Sequence, residues 1–127
     1  MIIVGPGFRH DAELAEVLGK ELEVKRDVPS LIAEFENYDL AITGGGITPF
    51  EANASGLPCI VIANELFEVP TGLELARLGG AVFAGYHEQI DEAVLARDLP
   101  LEGMSRAGMD CIGLEGVDRV VRELMSL

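Results

Sequence analysis

Tryptophan is absent from this chain of 127 residues, cysteine occurs only twice, and basic residues are few. Nine Lys and Arg residues stand against 22 Asp and Glu residues, which gives a formal net charge of −13. Such an acidic chain repels the phosphate backbone of nucleic acids, so we expect no nucleic-acid partner. Two cysteines are too few for a disulfide scaffold, and Cys59 lies in an apolar run where a small buried side chain is expected.

Long apolar runs are also missing. No stretch reaches the roughly 20 apolar residues that a membrane-spanning helix needs, so we expect no membrane span. Residues 1–4 run directly into Gly5-Pro6-Gly7, without the basic start and apolar stretch of a secretory signal, which favours a cytoplasmic location. No group of Cys and His residues has the spacing of a metal site, and neither a metal nor another cofactor is predicted.

The apolar pattern predicts one α/β domain over residues 1–127. Short, continuously apolar runs are typical of a parallel sheet covered on both faces; they are 1–4, 22–25, 39–43, 59–63 and 81–84. Helical spacing of apolar residues occurs between and after these runs; the segments are 11–18, 29–36, 49–55, 70–78, 88–96, 101–107 and 115–124. Because connections between parallel strands are right-handed, we expect a single Rossmann-like, doubly wound sheet in the order 2-1-3-4-5. Ligands of such sheets bind between the ends of strands 1 and 3.

The turn after the first strand contains Gly5, Gly7, Arg9 and His10. Glycines leave backbone N–H groups free to approach phosphate oxygens, and Arg9 could contact the same oxygens. A tight strand-to-helix turn without any ligand also explains the two glycines. The spacing matches neither the dinucleotide fingerprint nor a Walker loop, so Gly5, Gly7 and Arg9 are phosphate-binding candidates without a known fingerprint.

The turn after the third strand, Gly44-Gly45-Gly46, carries more information. Three glycines remove every side chain from the turn, and a helix is predicted directly behind it, an arrangement that favours anion binding. Thr48 is predicted as the N-cap, Pro49 as the first helical residue and Glu51 as the acidic member of a capping box. At this point Glu51 has two interpretations: its carboxylate satisfies the N–H of Thr48, or it accepts hydrogen bonds from ribose hydroxyls.

The segment 39–62, DLAITGGGITPFEANASGLPCIVI, resembles the nucleotide-sugar motif of GT-B glycosyltransferases. The similarity is to the C-terminal half of the lipid II N-acetylglucosaminyltransferase superfamily. Within it, the chain resembles the branch that contains the UDP-sugar hydrolase of pseudaminic acid synthesis and the spore-coat polysaccharide proteins. Gly5-Pro6-Gly7, Leu78-Gly79-Gly80 and the segment 104–108 fall in the order found in that branch, so the resemblance covers nearly the whole chain.

The resemblance implies roles for individual residues. The glutamate matching Glu51 holds the ribose in that family, and the residues matching Gly45, Gly46 and Thr48 approach the diphosphate, with the first turn beside the phosphates. After the fourth strand the family commonly carries an Asn-Gln pair that contacts the donor sugar. Here Asn64 matches the first member, whereas Glu65 or Glu68 stands in place of the glutamine, which leaves the identity of the sugar open.

The resemblance therefore implies a domain or subunit that binds a nucleotide sugar, with UDP as the expected nucleotide. The enzyme would be a glycosyltransferase or a UDP-sugar hydrolase of cell-surface polysaccharide or sialic-acid-like sugar biosynthesis. A fragment, a subunit that pairs with an acceptor-binding chain or with its own copies, and a stand-alone module all fit, and catalytic residues stay unassigned. The alternative is a non-catalytic nucleotide-binding module, while a receiver-like or flavin-binding domain fits less well because the acidic cluster and the aromatic pair are missing.

Overall fold

The computed structural model describes residues 1–19 and 21–127 and has an α/β architecture. The chain divides into two compact units, Met1–Ala33 and Glu34–Leu127. Strands and helices alternate along most of the sequence, as the apolar pattern predicts. In chain order they are β1 (Ile2–Val4), α1 (Asp11–Val17), β2 (Val24–Arg26), α2 (Leu31–Phe35), β3 (Ala41–Thr43), α3 (Thr48–Ala54), β4 (Cys59–Ala63), a 3₁₀ turn (Leu66–Glu68), α4 (Val69–Leu78), β5 (Ala81–Tyr86), β6 (Gln89–Ile90), α5 (Glu92–Leu95), α6 (Leu101–Cys111) and α7 (Gly116–Met125).

The strands form two sheets, and the prediction of a single sheet in the order 2-1-3-4-5 is wrong. β1 and β2 pair in parallel as a two-stranded sheet, with Ile3 opposite Lys25. The second sheet has the order β3-β4-β5-β6, in which the first three strands are parallel and β6 is antiparallel. The predicted pairings of β1 with β2, of β3 with β4 and of β4 with β5 are correct. β1 and β3 belong to different sheets, because an apolar pattern identifies strands and does not specify which strands pair.

The core of the second unit surrounds β4, whose side chains are almost all buried. Ile60 packs with Ala84 of β5 and Val94 of α5, and partly buried neighbours enlarge this cluster. On α4, Leu75 has no exposed surface. Each fully buried aliphatic side chain of this size contributes roughly 1.5 to 3 kcal/mol, so the β4 and β5 region anchors the unit.

Two glycines with positive φ shape the chain at the end of α4 and within β5. Gly79 closes α4 at a φ of 91°, the left-handed C-cap that the sequence predicts. Gly85 has a φ of 111°, and a Cβ there would lie 2.5 Å from the carbonyl oxygen of Gln89. That close approach forms the β5–β6 hairpin in place of the first part of the helix predicted over 88–96, which is reduced to the four residues of α5.

The C-terminal helix α7 is amphipathic, as predicted, yet none of its residues is buried. Its apolar stripe of Val117, Val120, Val121 and Leu124 is 51 to 75% exposed. Within residues 1–19 and 21–127, no helix has the length and apolar character needed to cross a membrane.

Candidate functional site

The Gly44–Gly46 turn joins β3 to α3 and lies against the loop that follows β4. A Cβ on Gly44 would lie 2.4 Å from Nδ2 of Asn64, and one on Gly45 would lie 2.7 Å from Cβ of Glu68. At Gly45 the neighbours include the backbone carbonyl of Glu68, at 3.1 Å, so the close approach of the two loops requires glycine there, whereas the amide of Asn64 beside Gly44 is the end of an exposed side chain. Gly46 is exposed, and only Oε1 of Glu68, at 3.8 Å, would approach a Cβ there.

Three backbone N–H groups from these two loops converge on one carboxylate oxygen. Oε2 of Glu68 accepts hydrogen bonds from the N–H groups of Asn64 at 2.8 Å, Gly45 at 3.1 Å and Glu65 at 3.5 Å. We call these three donors the amide cluster. Hydrogen bonds from backbone N–H groups to an ionised acceptor are among the strong ones, so the amide cluster is an anion-binding arrangement with the protein's own carboxylate in it.

The start of α3 differs from the prediction. Thr48 and Pro49 are the first two helical residues, and the N-cap is Ile47, with φ −80° and ψ −34°. No side chain caps the helix, so the predictions of Thr48 as N-cap and of Pro49 as the first helical residue are wrong. The reason is that Ile47 already has helical dihedrals, so the helix begins at Thr48, one residue earlier than predicted.

Glu51 therefore forms no capping box, and the first of its two interpretations fails. The capping box of this region lies in the 3₁₀ turn instead, where Glu65 and Glu68 each accept from the other's backbone N–H. Glu51 lies in the first turn of α3 and is half-buried. Its carboxylate has no hydrogen bond or ion pair within the part of the chain that the structure describes. Its hydrogen-bonding capacity is available to a ligand.

The structure brings the second-turn candidates together in one place. Gly44 lies against the side chain of Asn64, the N–H groups of Gly45 and Asn64 share one acceptor oxygen of Glu68, and Gly46 follows directly. Thr48 and Glu51 lie in the first turn of the helix that leaves this loop. Sequence reasoning missed that Glu68 enters the glycine turn; the signal was the spacing of Glu65 and Glu68 ahead of the Val69-Pro70 helix start, which is a capping-box pattern.

The first-turn candidates belong to the other compact unit. Ideal Cβ positions on Gly5 and Gly7 meet no atom within 4 Å, so no close contact requires glycine there. The guanidinium of Arg9 is exposed and donates to the carbonyl oxygen of Pro6 at 3.4 Å, and Nδ1 of His10 lies 3.5 Å from Oε1 of Glu13. Arg9 and His10 therefore each have a local partner at the protein surface.

Negative charge collects at the carboxyl ends of β4 and β5. Partial desolvation, followed by the charges of Glu88 and Glu65, raises the pKa of Tyr86 at the end of β5. The N–H groups of the amide cluster supply positive potential next to these carboxylates. Among residues 1–19 and 21–127, no group of three or more His, Cys, Asp or Glu residues is arranged to hold a metal ion.

Exposed apolar side chains flank the site. Ile47 follows the glycine turn and is 74% exposed, while Leu66 and Phe67 precede Glu68 and are 71% and 78% exposed.

Comparisons of the chain with protein-family models, with curated proteins and with solved structures found no match.

Proposed function

We propose that this chain binds the diphosphate of a nucleotide sugar, with UDP as the nucleotide, as the donor-binding part of a cytoplasmic glycosyltransferase or UDP-sugar hydrolase. The observation that carries the proposal is the amide cluster, because Gly45, Asn64 and Glu65 together direct three N–H groups at one anionic oxygen. Phosphate oxygens take hydrogen bonds of the same kind from backbone nests in glycine-rich turns.

The position of Glu51 supports the nucleoside half of this proposal. Its carboxylate is half-buried, lies one turn beyond Gly46 and has no partner within residues 1–19 and 21–127. A carboxylate accepts hydrogen bonds from two vicinal hydroxyls, which is what a ribose presents. With the capping role excluded, ribose binding is the remaining interpretation of Glu51, and Thr48 in the same helical turn adds a hydroxyl on the side of the phosphates.

Acidic surroundings do not forbid an anionic ligand. The net charge of −13 is spread over 127 residues, and charges more than about 8 to 10 Å apart in water are largely screened at physiological ionic strength. Backbone amides act over hydrogen-bond distances, so the local donors decide the affinity. Catalysis by such a domain rests on positioning the donor and on stabilising the departing diphosphate.

Thermal unfolding with and without nucleotides tests this function. Saturation at one hundred times Kd adds about 2.7 kcal/mol of stability, and we expect UDP or a UDP-sugar to give a larger shift than GDP, CMP or dTDP. Glu51→Ala should remove most of the UDP shift. Glu92→Ala is the matched control, because Glu92 also lies in the first turn of a short helix. Absence of any shift with millimolar UDP would refute the proposal.

Turnover separates the catalytic from the non-catalytic form of the proposal. A complete hydrolase releases UDP from a UDP-N-acetylamino sugar when this chain is the only protein present. A donor-binding subunit binds the same compound and releases UDP only after an acceptor-binding chain is added. A chain that binds UDP-sugars and never releases UDP with any partner would be the binding module alone.

A further inference from the structure

The amide cluster is already occupied, by the carboxylate of Glu68. Oε2 of Glu68 holds all three N–H donors, with distances of 2.8 Å to Asn64 and 3.1 Å to Gly45. We propose that Glu68 is an internal competitor of the ligand, which must leave the amide cluster before a phosphate group can enter it. This inference rests on the proposed function and adds to it a regulatory residue of the same site.

Geometry makes the two occupants exclusive. A phosphate oxygen bound to the N–H groups of Gly45 and Asn64 would take the position that Oε2 of Glu68 holds. Cβ of Glu68 lies 2.7 Å from an ideal Cβ on Gly45, so the side chain of Glu68 starts directly beside this N–H group. A phosphate group and the carboxylate of Glu68, both negative and side by side at the amide cluster, would repel each other strongly where water is partly excluded.

Glu68 can leave without unfolding its surroundings. It is the last residue of the 3₁₀ turn and the N-cap of α4, with helical dihedrals of φ −81° and ψ −17°, and its side chain is only half-buried. Rotation about its side-chain bonds moves the carboxylate into solvent while the backbone of α4 stays in place. The N–H groups of Gly45 and Asn64 then become available, and the ligand replaces the hydrogen bonds that Glu68 gives up.

A purely structural role makes a different prediction. If Glu68 only ties the glycine turn to the loop after β4, removing its carboxylate loosens the site and weakens nucleotide binding. If Glu68 competes, removing its carboxylate strengthens binding, even where the unfolding free energy falls. The sign of the change in affinity therefore distinguishes the two roles.

The test is isothermal titration of UDP into the full chain and into three variants. Glu68→Ala vacates the amide cluster, and Glu68→Gln keeps the shape but removes the charge. Glu88→Gln is the control, because it removes one negative charge near Tyr86 at the carboxyl end of β5 without touching the cluster. We expect Glu68→Ala to lower Kd about tenfold, which corresponds to about 1.4 kcal/mol, Glu68→Gln to lower it less, and Glu88→Gln to change it by less than about twofold.

Each result decides one claim. UDP binding by the natural chain, with equal or weaker binding by both Glu68 variants, overturns the competition and leaves the proposed function standing. Equal gains from Glu68→Gln and Glu88→Gln also overturn it, because general charge removal then explains the effect. Failure of the natural chain and of all variants to bind millimolar UDP overturns both claims. If Glu68→Ala does not fold, the Glu68→Gln and Glu88→Gln pair decides alone.

Discussion

The side-chain amide of Asn53 donates a hydrogen bond of 3.0 Å to the carbonyl oxygen of Gly80. The same Nδ2 also donates to the carbonyl oxygen of Leu57 at 3.2 Å, and the residue is 2% exposed. Asn53 thereby fastens α3, the helix behind the glycine turn, to the residues that precede β4 and β5. A Cβ on Gly80 would lie 2.3 Å from Oδ1 of Asn53, and one on Gly108 of α6 would lie 3.1 Å from its Cβ. These two glycines are thus explained by packing around one buried amide.

Asn53→Ala should lower the unfolding free energy by about 2 kcal/mol, because the buried carbonyl of Leu57 loses its N–H donor and that of Gly80 keeps only the N–H of Cys59. Asn37→Ala is the matched control, since the exposed Nδ2 of Asn37 also donates to a backbone carbonyl, that of Glu34. We expect a loss below about 1 kcal/mol there. Urea unfolding followed by far-ultraviolet circular dichroism measures both, as the chain has no tryptophan. Equal losses would contradict the structural role of Asn53.

Gly72→Ala in α4 should destabilise the protein by about 1 to 3 kcal/mol, because its Cβ would lie 2.4 Å from Cδ2 of Phe83. Gly103→Ala in α6 should instead stabilise by about 0.5 to 1 kcal/mol, since no atom lies within 4 Å of its Cβ position and alanine favours the helix. Thermal unfolding compares the two. Combining Gly72→Ala with Phe83→Ala should cost less than the sum of the single changes, and strict additivity would rule out the clash.

Cys59 should make the protein lose stability in alkali. Burial raises the pKa of its thiol from 9.0 to about 12. The folded state therefore keeps the proton while the unfolded state releases it, so the contribution is complete below pH 9 and falls as the pH rises toward 12. Between pH 8 and pH 10 the natural chain should lose about 1.4 kcal/mol more than Cys59→Ala does.

The control for this alkaline loss is Cys111→Ala, since Cys111 is exposed. That variant should follow the natural chain over the whole pH range. Urea unfolding at each pH gives the free energies, and parallel curves for the natural chain and Cys59→Ala would show that the thiol at position 59 is not the titrating group.

Local signals predicted the elements better than their arrangement. Gly79 ended α4 as expected, because a left-handed residue at a helix end depends on a few neighbouring bonds. The helix predicted over 88–96 was largely replaced by β6 and its hairpin, because Gly85 allows a backbone approach to Gln89 that helical spacing does not reveal. The start of α3 was missed by one residue, since Ile47 has helical dihedrals that no residue preference required.

In the candidate site, too, the local features were predicted and the contact between distant segments was not. The glycines at 44 to 46, Asn64 and Glu51 were named from the sequence as candidates, and their positions at the ends of β3 and β4 and in α3 follow from the alternation of strands and helices. The occupant of the glycine turn was not identified. Glu68 lies 23 residues from Gly45 along the chain, and a hydrogen bond over that separation depends on how two loops meet.

The sequence by itself determined the α/β alternation, the acidic character and the side-chain-free turn at residues 44 to 46, because periodicity, charge and the absence of a Cβ are properties of single residues and short segments. Only the tertiary structure decided that β1 and β2 form their own sheet, that Asn53 is buried at the amino ends of β4 and β5 and that a carboxylate fills the amide cluster. Those outcomes depend on which distant backbone groups come within hydrogen-bond distance, and such proximity is set by packing of the whole unit.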